Sequence, residues 1–144
     1  MSVRENIAKN IVTTLRSATT PARIKYVTRE PFEFDKLSNA QFPAVLIRSA
    51  NENREDATIG GASATRTATI DYQIICYVKA NDIDTARNEA VERIEEKLDT
   101  DRTRGGYALD TQVISVETDQ GSISPIGGVI VTVEVMYNFT RGNT

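Results

Sequence analysis

The sequence contains no histidine, no tryptophan and a single cysteine, Cys76. Each shortage removes a class of function. Without imidazole there is no Ser-His-Asp or Cys-His machinery, and the commonest general base and metal ligand are gone. An enzyme built on this chain would have to run on carboxylates, lysine or tyrosine. One cysteine cannot close an internal disulfide, which excludes the cross-linked framework of small secreted domains. No stretch approaches the ~18 consecutive apolar residues of a membrane span, and the opening MSVRENIAKN has no apolar signal core. Neither sign of charge dominates: 17 basic residues stand against 20 acidic ones. That balance argues against a protein that grips nucleic acid through a basic surface. The expectation is a single domain over residues 1–144, made in a reducing cytoplasm and large enough to bury a core without staples.

What the chain does have is alternation. In residues 65–80, Ala68, Ile70, Tyr72, Ile74, Cys76 and Val78 recur at every second position, with Thr67, Thr69, Asp71 and Gln73 between them. Residues 129–140 repeat the pattern with Val129, Val131, Val133, Val135, Tyr137 and Phe139. A period of two in β-branched and aromatic residues marks a strand with one buried face. The two are expected to lie centrally in a sheet.

Two stretches carry the helical period instead. Val3, Ile7, Ile11 and Leu15 fall four apart behind Ser2-Val3-Arg4-Glu5, which has the form of a capping box, so a helix is expected over roughly 2–18. Ile83, Ala86, Ala90, Val91, Ile94 and Leu98 mark a second helix over 83–99, capped at Asn81-Asp82. Glu89 and Arg93 read as a surface pair on it, with Arg87, Asn88, Glu92, Glu95 and Glu96 as its solvated side.

The remaining segments are weaker. Residues 23–30 read as a short strand stopped by Pro31, and 31–42 as a loop pinned by its aromatics. Residues 44–49 form a continuous apolar run, expected as a strand buried on both faces. Residues 50–64 are polar, a long hairpin arm or a mobile loop; 107–118 carry a strand around Val113, Ile114 and Val116; 119–128 form a loop. The expected fold is α+β in the order αβββαββ, with an antiparallel or mixed sheet of four to five strands covered on one face by both helices.

Candidate chemistry is sparse. Asp99, Asp101, Thr103 and Asp110 fall at positions 1, 3, 5 and 12 of a calcium loop, but Arg104 occupies the place of its glycine, so a polar helix end followed by a turn is the better reading. Cys76, among Ile74 and Val78, reads as a buried inert thiol. The Gly-Gly pairs fit no phosphate loop and read as turns. Arg102 and Arg104 have few basic neighbours with which to hold an anion. Glu52, Glu55 and Asp56 with Arg54 read as a solvated loop or an acidic patch. No catalytic constellation, cofactor or metal is expected. Ile75 and Tyr77 on one long strand, and Ile130 and Met136 on the other, are apolar on the face that should be solvated. Either the 31–42 loop covers them or another subunit does.

Taken in order, these elements resemble the tail terminator proteins of long-tailed bacteriophages. The resemblance is carried by the first helix with Ile7, Ile11 and Leu15, the Tyr26-Val27-Thr28-Arg29 strand, and Phe42-Pro43-Ala44-Val45 opening the next. It continues through the long strand with Tyr72, the helix ending Leu98-Asp99 before Gly105-Gly106, and a Val-rich last strand closing on Tyr137. It implies a non-catalytic virion subunit, assembled in the host cytoplasm and located at the tail-neck region. It implies a hexameric ring that caps the tail tube, ends tube polymerisation and meets the head connector. DNA would pass through such a ring without specific binding, which an acidic chain suits. On that reading Ile75, Tyr77, Ile130, Met136, Arg54 and Glu55 are the candidate subunit or tube contacts. The alternatives are a head–tail connector or minor tail protein, or a non-viral, ferredoxin-like ligand-binding module.

Overall fold

The computed structural model describes residues 2–17, 24–32, 36–56, 65–118 and 126–140. Its elements follow the order α1 (Val3–Arg16), β1 (Tyr26–Thr28), β2 (Ala44–Asp56), β3 (Thr65–Lys79), α2 (Ile83–Asp99), β4 (Asp110–Thr118) and β5 (Ile126–Thr140), so the fold is α+β with two helices and five strands. The strands form one mixed sheet in the order β1-β2-β3-β5-β4. β1 runs parallel to β2 and every other pair is antiparallel. β3 lies at the centre, paired along its whole length with β5. Among the described residues no helix is long and apolar enough to cross a membrane.

The alternating positions of β3 and β5 face the helices. Ala68, Ile70, Ile74 and Cys76 have no solvent exposure, nor do Val131, Val133, Val135 and Tyr137 across the register. Ile7, Ile11 and Leu15 of α1 and Ala90, Ile94 and Leu98 of α2 close over them into one core. Asp82 caps α2, its carboxylate accepting from the N–H of Thr85. Such a cap satisfies a donor that the helix leaves free.

Several local expectations need correction. Ser2 caps α1 by accepting from the N–H of Glu5 at 3.1 Å. Glu5 does not reach back to the cap; it accepts two bonds from Arg29, at 2.7 and 3.0 Å. A charged bidentate partner outcompetes a single backbone N–H. The strand expected over 23–30 pairs only at Tyr26–Thr28. Of the two readings of the polar stretch from residue 50, the hairpin arm holds as far as Asp56, where β2 continues antiparallel to β3; residues 57–64 lie outside the described ones. The open edge of β3 offers it a ladder of backbone partners, and this outweighs poor strand propensity. β2 is also less buried than expected: Val45 and Ile47 are inside, Leu46 is half-buried, and Arg48 and Ser49 are exposed. β5 starts at Ile126, three residues earlier than its alternation suggested. Arg93 is not a surface partner for Glu89. It is 3 % exposed, on the turn after Ala90, close enough to Cys76 for its charge to be felt there.

β2 carries a bulge between Ser49 and Glu52. Before it Val45, Ile47 and Ser49 share the face of Cys76, Ile74 and Tyr72; after it Glu52 and Arg54 share the face of Ile70 and Ala68. Glu52 is thereby brought under α1. Its carboxylate accepts from the Tyr137 hydroxyl at 2.7 Å and pairs with Arg4 at 3.1 Å and with Arg54. One carboxylate so ties α1, β2 and β5 together.

Candidate functional site

The sheet's other face has an apolar end and a polar end. At the apolar end Ala44, Tyr77 and Gly128 lie opposite one another, and Leu46, Ile75, Ile130 and Glu117 form the next row. Ile75 is buried, at 8 % exposure. The ring of Phe32 sits 5.8 Å from Tyr77 and 5.6 Å from Tyr26. Of the two covers considered for this face, the chain's own 31–42 segment supplies one over Tyr77. A groove of about 210 Å³ remains open beside Ile75, Tyr77 and Ile130, rimmed by Glu117 and Thr118. The polar end carries Asp71 directly opposite Glu134. Partial burial, and then the Glu134 charge, raise the Asp71 pKa.

The other three candidate contacts lie apart from that groove. Met136 is opposite Thr69 and Asp110, near the start of β4. Glu55 is exposed on the outer face, whereas Arg54 is on the helix side, its guanidinium 4.7 Å above the Phe139 ring.

The most exposed apolar surface is one the alternation did not reveal. Among the described residues the large hydrophobics left in solvent are Tyr107, Leu109, Ile114, Val116 and Met136, each 40 % exposed or more. Four belong to β4 or the turn leading into it, and Met136 adjoins them, its carbonyl accepting from the Leu109 N–H at 2.7 Å. All five therefore lie along the β4 edge of the sheet, from Met136 opposite Asp110 at its start to Val116 opposite Val131 near its end. Ile114 sits in a second bulge, between Val113 and Ser115, and so drops out of the ladder. The run Val113-Ile114-Ser115-Val116 looks like a core strand by composition alone. Exposed apolar residues collected in one place mark an interaction surface more often than the same residues scattered singly.

The opposite edge is polar. β1 pairs only with Ala44–Leu46, so among the described residues β2 has no sheet neighbour on that side from Ile47 onward. Between this edge and the start of α1 lies a pocket of about 340 Å³, lined by Arg4, Glu5, Arg29, Arg48 and Tyr72 among others. The Arg29 hydrogen bonds hold Glu5 below the usual carboxylate range. Burial pushes the Tyr72 hydroxyl up to about 12, and its proton is donated to the Arg4 carbonyl at 3.3 Å.

The turn after α2 is organised around a guanidinium. Arg104, fully buried and at φ 52°, donates to the carbonyls of Leu98, at 2.5 Å, and of Asp101. It thus occupies the C-terminal end of α2, where carbonyls lack intrahelical partners and a cation is favoured. Asp101 accepts from the Thr103 hydroxyl and from the N–H groups of Thr103 and Gly105, and these bonds hold its pKa down. Arg102 makes a two-pronged pair with Asp110. Asp101 and Asp110, two of the carboxylates aligned with a calcium loop, are thus engaged with the protein's own donors, and no group of three potential metal ligands occurs among the described residues. Arg104→Ala is expected to cost about 2–4 kcal/mol, since it opens a cavity and leaves two carbonyls unmatched. A urea melt at neutral pH measures it; a loss below about 1 kcal/mol would show that the turn holds without the guanidinium.

Burial raises the Cys76 pKa to about 12, against a smaller opposing effect of Arg93, and leaves the thiol unreactive.

No family model matches the chain, and no curated protein matches it. Among solved structures it is similar to a chain of the virion of native gene transfer agent (GTA) particle, with 10 % sequence identity and a TM-score of 0.42, over 96 % of this chain and 92 % of that one. A likeness this loose carries no argument about function.

Proposed function

We propose that the protein is a structural subunit of a phage-type virion, of the tail-terminator kind: it self-associates into a ring, caps the tail tube, and presents the surface that the head connector meets. The observation that supports this best is the gathering of exposed large hydrophobics on one sheet edge. A subunit that works alone gains nothing from such an edge, whereas one that closes a ring buries it. The sequence resemblance supplies the identity of the assembly and its location at the tail neck. The reading assigns no catalytic role and no cofactor, and it treats DNA as cargo passing through an unsticky lumen.

Negative-stain imaging of the purified protein, with and without phage tail tubes, tests the reading. Rings seated on tube ends are the expected result. A protein that stays monomeric or dimeric across concentration and salt, and leaves tube ends bare, refutes it and favours a free-standing ligand-binding module. Rings that bind the portal side of a head instead of the tube favour a head–tail connector.

A further inference from the structure

We infer that copies of this chain associate head to tail, with the β4–α2 edge of one copy seated against the β2–α1 edge of the next. The inference rests on the reading of the protein as an assembling subunit and specifies the joint.

Three observations point to this pairing of unlike edges. The first is charge. The α2 segment, residues 82–99, holds seven acidic residues against three basic ones, and one of the three, Arg93, is buried. Glu89, Glu92, Glu96 and Asp99 are all exposed, spaced three and four apart along one side of the helix. The described residues of the α1 and β1 region, 2–17 and 24–30, hold five basic residues against two acidic ones. The pocket at their junction with β2 adds Arg48, whereas Arg29 and Arg4 there are already paired with Glu5 and Glu52. α1 and α2 pack against each other, α1 also on β1 and α2 on β3, β5 and β4, so the two charges lie toward opposite edges of the same sheet face. Like edges would repel and unlike edges attract. A self-complementary two-fold contact needs the same patch on both partners, whereas a head-to-tail contact needs two different ones.

The second observation is strand direction. β2, β3, β5 and β4 alternate strictly. A copy set beside β4 in the same orientation brings its β2 alongside in the antiparallel sense, so the alternation continues across the joint. The third is length. β4 has nine residues, and β2 has ten beyond the three that β1 covers. Both edges carry a bulge, a device that discourages indiscriminate pairing. The flanking charges then select which edge is accepted.

The test is a charge exchange read by sedimentation velocity at low ionic strength. One variant carries Glu92→Lys and Glu96→Lys; the other carries Lys9→Glu and Arg48→Glu, at exposed positions of α1 and β2. Each alone is expected to associate at least about tenfold more weakly than the native chain. An equimolar mixture of the two is expected to regain association, because every contact in an alternating assembly again joins opposite signs. Circular dichroism melts check that each variant folds, and regained association in the mixture independently shows that both are folded. If both variants associate as the native chain does, or the mixture of two folded variants stays dissociated, the joint is elsewhere and this inference fails while the assembly reading stands. A native chain that stays monomeric at every concentration, with tube ends bare, overturns both.

Discussion

Ile74→Asp is expected to abolish cooperative folding. Ile74 has no solvent exposure and lies on β3, the central strand, between Ile47 of β2 and Val131 of β5. Removing the side chain forfeits roughly 2–4 kcal/mol of burial and packing. Placing a carboxylate there adds a desolvation penalty of several kcal/mol more. A domain of this size has about 5–15 kcal/mol of stability in all, so the variant is expected to show neither a sharp urea transition nor dispersed amide resonances. A variant that melts within about 2 kcal/mol of the native chain would mean that the core admits water or rearranges, and that β3 is not its centre.

The second large effect is on association, with stability left nearly intact. Ile114→Asp together with Val116→Asp places two charges on side chains that are 45 % and 42 % exposed at the sheet edge. Exposed substitutions generally move stability by about 0.5 kcal/mol, and β4 is paired on one side only. The melting midpoint is therefore expected to fall by only a few degrees. Association, which would bury these residues and set the new carboxylates against a neighbour, is expected to fall by about a hundredfold or more, as charged groups buried without partners at an interface do. Light scattering over a concentration series, alongside a thermal melt, separates the outcomes. Unchanged association with an unchanged melt would remove the β4 edge from the interface; a collapsed melt would mean that the subunit itself needs these side chains. Tyr77 is a poorer probe of assembly, because Phe32 packs against its ring and a charge there would disturb the subunit as well.

The parts of the fold that were legible in the sequence are those where one periodicity acts alone. α2 runs from Ile83 to Asp99, as its helical spacing implies, and β3 and β5 show the burial that strict alternation demands. Legibility fails where a tertiary partner decides. Arg93 has the composition of a solvated face, yet its position one turn from Ala90 lays its stem on the sheet. β1 shrinks to three residues because only Ala44–Leu46 meet it. The candidate surface was half visible. The apolar character of Ile75, Tyr77 and Ile130 marks a real groove, but the cover over Tyr77 depends on where Phe32 lands, which no local pattern gives. The β4 edge was hidden for the opposite reason: exposed and buried apolar strands look the same until the strand order is known. The place of Glu52 beside Tyr137 and Arg4 was out of reach as well, since it depends on a bulge that leaves no compositional mark.

That bulge works as a change of reading frame. Up to Ser49 the odd-numbered residues of β2 are written for the interior, and from Glu52 the even-numbered ones are. Length changes in this part of the chain are therefore subject to parity. Losing one residue at Ala50 or Asn51 would remove the bulge and leave plain alternation, with Ser49 and Glu52 both still inward, opposite Tyr72 and Ile70. Losing both would set Glu52 directly after Ser49, turning Asn53 and Glu55 toward the helices and carrying Glu52 away from its hydroxyl and guanidinium partners. A point substitution at either position disturbs one side chain and a single deletion straightens the strand, but a double deletion rewrites its whole second half.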